Sequence, residues 1–173
     1  MKKRSISTAA DIFALFSSIS AQAAGNDEVL RFQVYLNDNP IGEHTYRIDR
    51  DGETKRVASR AEFDVDFLFI NAYRYRHTSN ETFRGDCLER ILATTDDNGE
   101  RYSISGSATG QGFELSRDAA IERAEGCIAT FAYWDPSLLD RGRLLNPQTG
   151  ELEPVKVRWE GPDRFALNDR EVS

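Results

Sequence analysis

From Arg56 to Phe69 the side chains sort by parity. Val57, Ser59, Ala61, Phe63, Val65, Phe67 and Phe69 occupy one set of alternate positions, and Arg56, Arg60, Glu62, Asp64 and Asp66 occupy the other. A helix would scatter both sets around its circumference, whereas a strand sends successive side chains to opposite faces. At about 3.3 Å per residue the stretch reaches roughly 46 Å. That is too long for one flat strand in a single domain, so the strand has to coil around a curved sheet or bend at a bulge.

The flanking segments repeat the pattern. Leu30, Phe32, Val34 and Leu36 alternate with Arg31, Gln33 and Tyr35, and Ile41–Ile48 returns after the turn cluster Asn37-Asp38-Asn39-Pro40. Asp49-Arg50-Asp51-Gly52 is the next turn. Tyr73, Tyr75, His77, Ser79, Glu81 and Phe83 share one parity, and Arg84-Gly85-Asp86 leads into Cys87–Thr95. Asp96-Asp97-Asn98-Gly99 is the strongest hairpin signal, because Asn-Gly tolerates the positive φ angles of a type I′ turn. Tyr102 and Ile104 continue the return strand. Gly106, Gly110 and Gly112 suggest a loose connection to a short strand at Phe113 and Leu115. Asp118–Glu125 reads as a capped helical turn or an irregular loop, Pro136–Asp140 as a short helix, and Val155, Val157 and Trp159 as a last strand. Short strands separated by turn signals indicate a mainly β fold. The expectation is an antiparallel, strongly curved meander or open half-barrel, with a helical or irregular excursion over 117–147.

Composition excludes other classes. The chain is 39% hydrophobic and 10% aromatic, too rich for a disordered polymer. It has no run of 18 apolar residues, so no ordinary transmembrane helix is expected. A formal charge of −7 opposes a nucleic-acid binder, which needs a basic face. Lys2, Lys3 and Arg4, the apolar Ile6–Ile19 stretch and Ala21-Gln22-Ala23 read as a secretory signal peptide over 1–23, cleaved after Ala23. The mature chain is then one β-rich domain, 24–173, in the periplasm. Cys87 and Cys127 have no C-x-x-C spacing. In an oxidising compartment they could form one disulfide, stabilising by roughly 3–4 kcal/mol; the alternative is two buried thiols.

The peptides Asn39-Pro40-Ile41-Gly42-Glu43-His44, Phe67 to His77, Thr95 to Glu100, Phe131-Ala132-Tyr133-Trp134-Asp135-Pro136 and Leu144 to Glu151 together resemble the DUF6134 family of uncharacterised bacterial exported proteins, itself similar to the DUF3108 group. The resemblance runs from about Val29 to Asn168. It implies a periplasmic β-rich domain with no activity to carry over, and a chain that lacks the family's last strands. By analogy at the level of fold, related exported sheets are half-barrels that hold acyl chains.

Few residues suggest chemistry. His44 and His77 lack ligand spacing, and on a strand His77 and Glu81 would lie about 13 Å apart, so no metal or other cofactor is expected. A Cys–His nucleophile pair would be abolished by a disulfide. Asp64 and Asp66 could act as paired carboxylates, but a solvated face beside Arg60 and Glu62 is the plainer reading. Asp96-Asp97-Asn98-Gly99 lacks the spaced ligands of a calcium loop. Tyr73-Arg74-Tyr75-Arg76 imitates a single-strand nucleic-acid groove, yet simple alternation accounts for it. Asn80-Glu81-Thr82 has the form of a glycosylation sequon, without meaning in a bacterial export context. Phe63, Val65, Phe67 and Phe69 form either plain core or the lining of a cavity, with Tyr73, Tyr75, Tyr133 and Trp134 as amphipathic rims. The leading expectation is therefore a non-enzymatic protein that binds an apolar or lipid-like molecule. The other is an envelope-assembly protein that acts through a sheet edge or the Tyr133-Trp134 loop. An enzyme is the weakest reading, since no nucleophile, base and acid come together in the sequence.

Overall fold

The computed structural model describes residues 27–67, 70–118, 120–158, 160–161, 165–167 and 170–172. The predicted signal peptide, its cleavage at Ala23, and Phe69 and Trp159 lie outside the described residues, as does the side chain of Phe67.

Eight antiparallel strands form one sheet in chain order: β1 (Glu28–Leu36), β2 (Asn39–Asp51), β3 (Thr54–Phe67), β4 (Ile70–Arg84), β5 (Cys87–Asp97), β6 (Glu100–Thr109), β7 (Gly112–Arg117) and β8 (Ala120–Ala124). The sheet is the expected meander. It is not closed into a barrel, and β1 and β8 are its two edges. β9 (Arg143–Leu145) and β10 (Leu152–Pro154) pair separately, as do β11 (Phe165–Leu167) and β12 (Arg170–Val172).

Local chemistry fixes the turns. Asn98 and Gly99 both take positive φ, 52° and 98°, and the Asp96 carboxylate accepts the Gly99 amide at 2.8 Å. Asn37 and Asp38 turn the first hairpin in the same way, at 49° and 64°. Such turns match the natural twist of the strands they join. The long β3 strand meets β4 through a register shift between Val65 and Asp66, a bulge being one of the two outcomes its length allowed. A second shift between Thr82 and Phe83 keeps Phe83 and Leu88 buried across the β4–β5 pair.

Three local expectations are corrected. Residues 120–124 form β8, not a helical turn: Phe113 to Arg117 offers a hydrogen-bonding edge that captures them from Ala124 to Ala120. Gly106 is not in a loose connection. It lies inside β6, where a side chain would meet the Phe113 ring at 2.5 Å, so only glycine lets that ring lie across the strand. The late strand is Leu152–Pro154, paired with β9, and not Val155 onward; the Val155 amide instead bonds the Gly142 carbonyl at 3.0 Å. The short helix exists as a 3-10 turn over Pro136–Asp140, with Asp135 capping the Ser137 amide.

The inner face of the sheet carries the core. Ile48, Val57, Phe83, Leu88, Ile91, Ile104, Phe113 and Leu115 are buried there, and Ile128 and Leu145 from the segment after β8 close over them. Two fasteners hold that segment down. Cys87 and Cys127 form a disulfide, with their Cα atoms 5.0 Å apart. The Lys55 ammonium bonds Asp135 at 2.5 Å and Asp86 at 3.3 Å, and lies 5.6 Å from the centre of the Trp134 ring.

Candidate functional site

The inward parity of β2, β3 and β4 is apolar at one end and polar in the middle. Ser59 on β3 and His77, Ser79 and Glu81 on β4 face inward and are buried. The cause is the alternation itself: these positions share parity with Val57, Ala61, Tyr75 and Phe83, so they cannot reach solvent without a register slip. Buried polar groups need partners, and here they find them. His44 Nε2 lies 2.8 Å from Ser59 Oγ, and His77 Nδ1 lies 3.0 Å from Thr95 Oγ1. Thr95 in turn donates to the Gln148 carbonyl at 3.0 Å. The Glu81 carboxylate accepts from Ser79 and from Thr130, each at 2.8 Å.

His44, Ser59, His77, Ser79, Glu81 and Thr130 floor a cavity of about 280 Å³, with Thr95 bonded to His77 behind them. Phe131, Ala132, Tyr133 and Trp134 wall it from one side, and Asn146, Pro147, Gln148 and Glu153 from the other. Its volume sits at the lower bound, ~300 Å³, of common small-molecule sites. A depression of about 490 Å³ on the outer face is bordered by the exposed Arg47, Arg56, Arg90 and Leu92. It has no comparable set of convergent, buried polar groups.

Burial dominates the electrostatics. It holds His77 down, to about 4, with the neighbouring His44 adding to the shift, and it lowers His44 as well. It raises Glu81 above the ordinary carboxylate range, against the two hydroxyl bonds that favour the ionised form. It also raises Tyr46 to about 12, helped by the Glu81 charge. Among the described residues no Lys or Arg borders the cavity. Among the described residues, no three His, Cys, Asp or Glu side chains are placed to hold a metal ion.

The predicted lining is only partly assembled. Tyr133 and Trp134 wall the cavity, with Tyr133 77% exposed at its mouth. Phe63, Val65, Tyr73 and Tyr75 do not line it. Phe63 stacks on Tyr75 at 5.2 Å, and Tyr75 continues to His77 at 6.4 Å, so these rings form a shelf beside the cavity. Asp64 belongs to the outer face, where Arg76 bonds it at 2.6 Å. The sequence reading missed Ser59, Ser79, Thr95 and Thr130 as site residues and set His44, His77 and Glu81 aside. The available signal was a polar interruption on an otherwise apolar parity.

The model of a family described as a domain of unknown function, DUF6134, matches residues 32–173. No curated protein matches the chain, and no solved structure does.

Proposed function

The chain belongs to the DUF6134 family, which hands it no activity, and we propose from its site that it is a non-enzymatic binding protein for a small amphipathic molecule. The apolar body of the ligand lies against Phe131, Tyr133 and Trp134, and its polar head reaches the floor at His44, Ser59, His77 and Glu81. One observation carries the reading: costly polar groups converge under an aromatic-walled cavity beside the apolar core of the inner face. Of the apolar or lipid-like ligands anticipated from the sequence, this reading favours those with a hydrogen-bonding end. The N-terminal segment 1–23 and the Cys87–Cys127 disulfide support a periplasmic location.

The test is extraction of the purified full chain, followed by mass spectrometry of what leaves it. Trp134→Ala and Tyr133→Ala are then titrated against the compound found. An amphipathic molecule whose affinity falls about tenfold in either variant supports the reading. A protein that carries nothing and binds no amphiphile overturns it. A reporter fused behind residue 30 tests export.

The β1 edge favours a second reading, envelope assembly through protein contacts. Val29, Phe32, Tyr35 and Leu36 are all about half exposed or more along this strand. Exposed apolar edges recruit further strands. Loss of a co-purifying envelope protein on Phe32→Lys would support that role.

A further inference from the structure

We infer that the inner cavity takes a ligand with a cationic amine head and rejects anionic ones of the same body. The inference rests on the binding reading above and adds the sign of the head. Three observations carry it.

First, the charged and titratable groups facing the cavity are one-sided. From β4 come Glu81 and His77, from β2 His44 and Tyr46, from β10 Glu153, and from the connecting segment Tyr133. Among the described lining residues no Lys or Arg balances the two carboxyl groups. Lys55, whose ammonium lies 5.6 Å from the Trp134 ring, is already bonded to Asp86 and Asp135. Second, Glu81 is buried with two neutral hydroxyl donors and no salt bridge among the described residues. A buried carboxylate without a cation is expensive. An entering ammonium supplies the missing charge, and the burial that weakens Glu81 as an acid agrees with that deficit. Third, Phe131, Tyr133 and Trp134 present aromatic rings around the same space. Aromatic faces attract ammonium groups and offer nothing to carboxylates. The two imidazoles, held neutral by burial, add acceptors without adding positive charge. The formal charge of −7 draws cations toward the molecule as a whole.

The experiment uses three probes of equal length: octylamine, octanol and octanoate, titrated calorimetrically into the full chain at pH 7.5. Octylamine is expected to bind about tenfold tighter than octanol, and octanoate more weakly than either. Glu81→Gln is expected to bring octylamine down to the level of octanol. Glu153→Gln serves as the second variant if the first fails to fold, with a smaller loss expected. Equal affinities, or preference for octanoate, overturn the sign of the head and leave the binding reading standing. Displacement of octylamine by calcium or magnesium marks an inorganic cation site and also overturns it. If none of the three probes binds, both readings fall.

Discussion

His77 is the clearest case of a side chain made unusual by its place in an alternating strand. Its folded acidity sits near 4, against about 6.5 for the free imidazole, because burial penalises the cation. Between those values the unfolded chain binds the extra proton and the folded chain does not. Stability therefore rises with pH across that window and is lost as pH falls through it, by about 3 kcal/mol in all. Urea unfolding of the wild type and His77→Gln at pH 4, 5, 6 and 7 checks this, since the wild type should lose that much more than the variant. Glu81 has the opposite sign: burial raises its pKa, so the folded chain holds the proton longer and the fold weakens as pH climbs above the ordinary carboxylate range. Tyr75 gives a different test. Its hydroxyl is buried and has no hydrogen-bond partner among the described residues. Tyr75→Phe should stabilise by about 1 kcal/mol, because an unmet buried donor is removed and the ring stays on Phe63. A loss in melting temperature would contradict it. At this scale parity could be read from the sequence, and it placed His77, Ser79 and Glu81 on the inward face. Their partners could not be read. Thr130 reaches Glu81 from 49 residues away, a separation no local pattern encodes.

Individual strands were legible where both alternation and a turn residue marked them. Asn98-Gly99 announced its hairpin, and the length of β3 announced coiling or a bulge. β8 was hidden because it is an edge: of Ala120 to Ala124 only Ala124 is buried, so no alternation survives in the letters. Pairing with β7 makes the strand, and that is a tertiary fact. Gly106 misled for a related reason, since glycine in a strand and glycine in a loop look alike until the partner ring is known. Gly106→Val should destabilise by about 2 kcal/mol, because Phe113 must leave its place across β6. Gly110→Val, at a position with open space, provides the control. Equal effects in chemical denaturation would refute the packing argument.

The whole molecule is a meander plus a strap, and the strap was the part least visible in advance. The sheet holds itself by ladders between neighbours in sequence. The segment after β8 is tied to the sheet by one covalent bond, one ion-pair cluster and single hydrogen bonds such as Thr130 to Glu81 and Thr95 to the Gln148 carbonyl. Removing both thiols, Cys87→Ser with Cys127→Ser, should cost roughly 3–4 kcal/mol by freeing the unfolded chain. Thermal unfolding with and without reductant checks the size, since reductant should leave the double variant unmoved.

This division of labour has a consequence for how such a molecule can diverge. The staves contribute the floor, and their side chains are locked to the ladder by alternation. The roof, residues 129–134 and 146–153, contributes the walls and carries few ladder bonds. Substitutions there reshape what the opening admits without re-registering a single stave, so one architecture can be retuned to new molecules by rewriting about fifteen letters of its text.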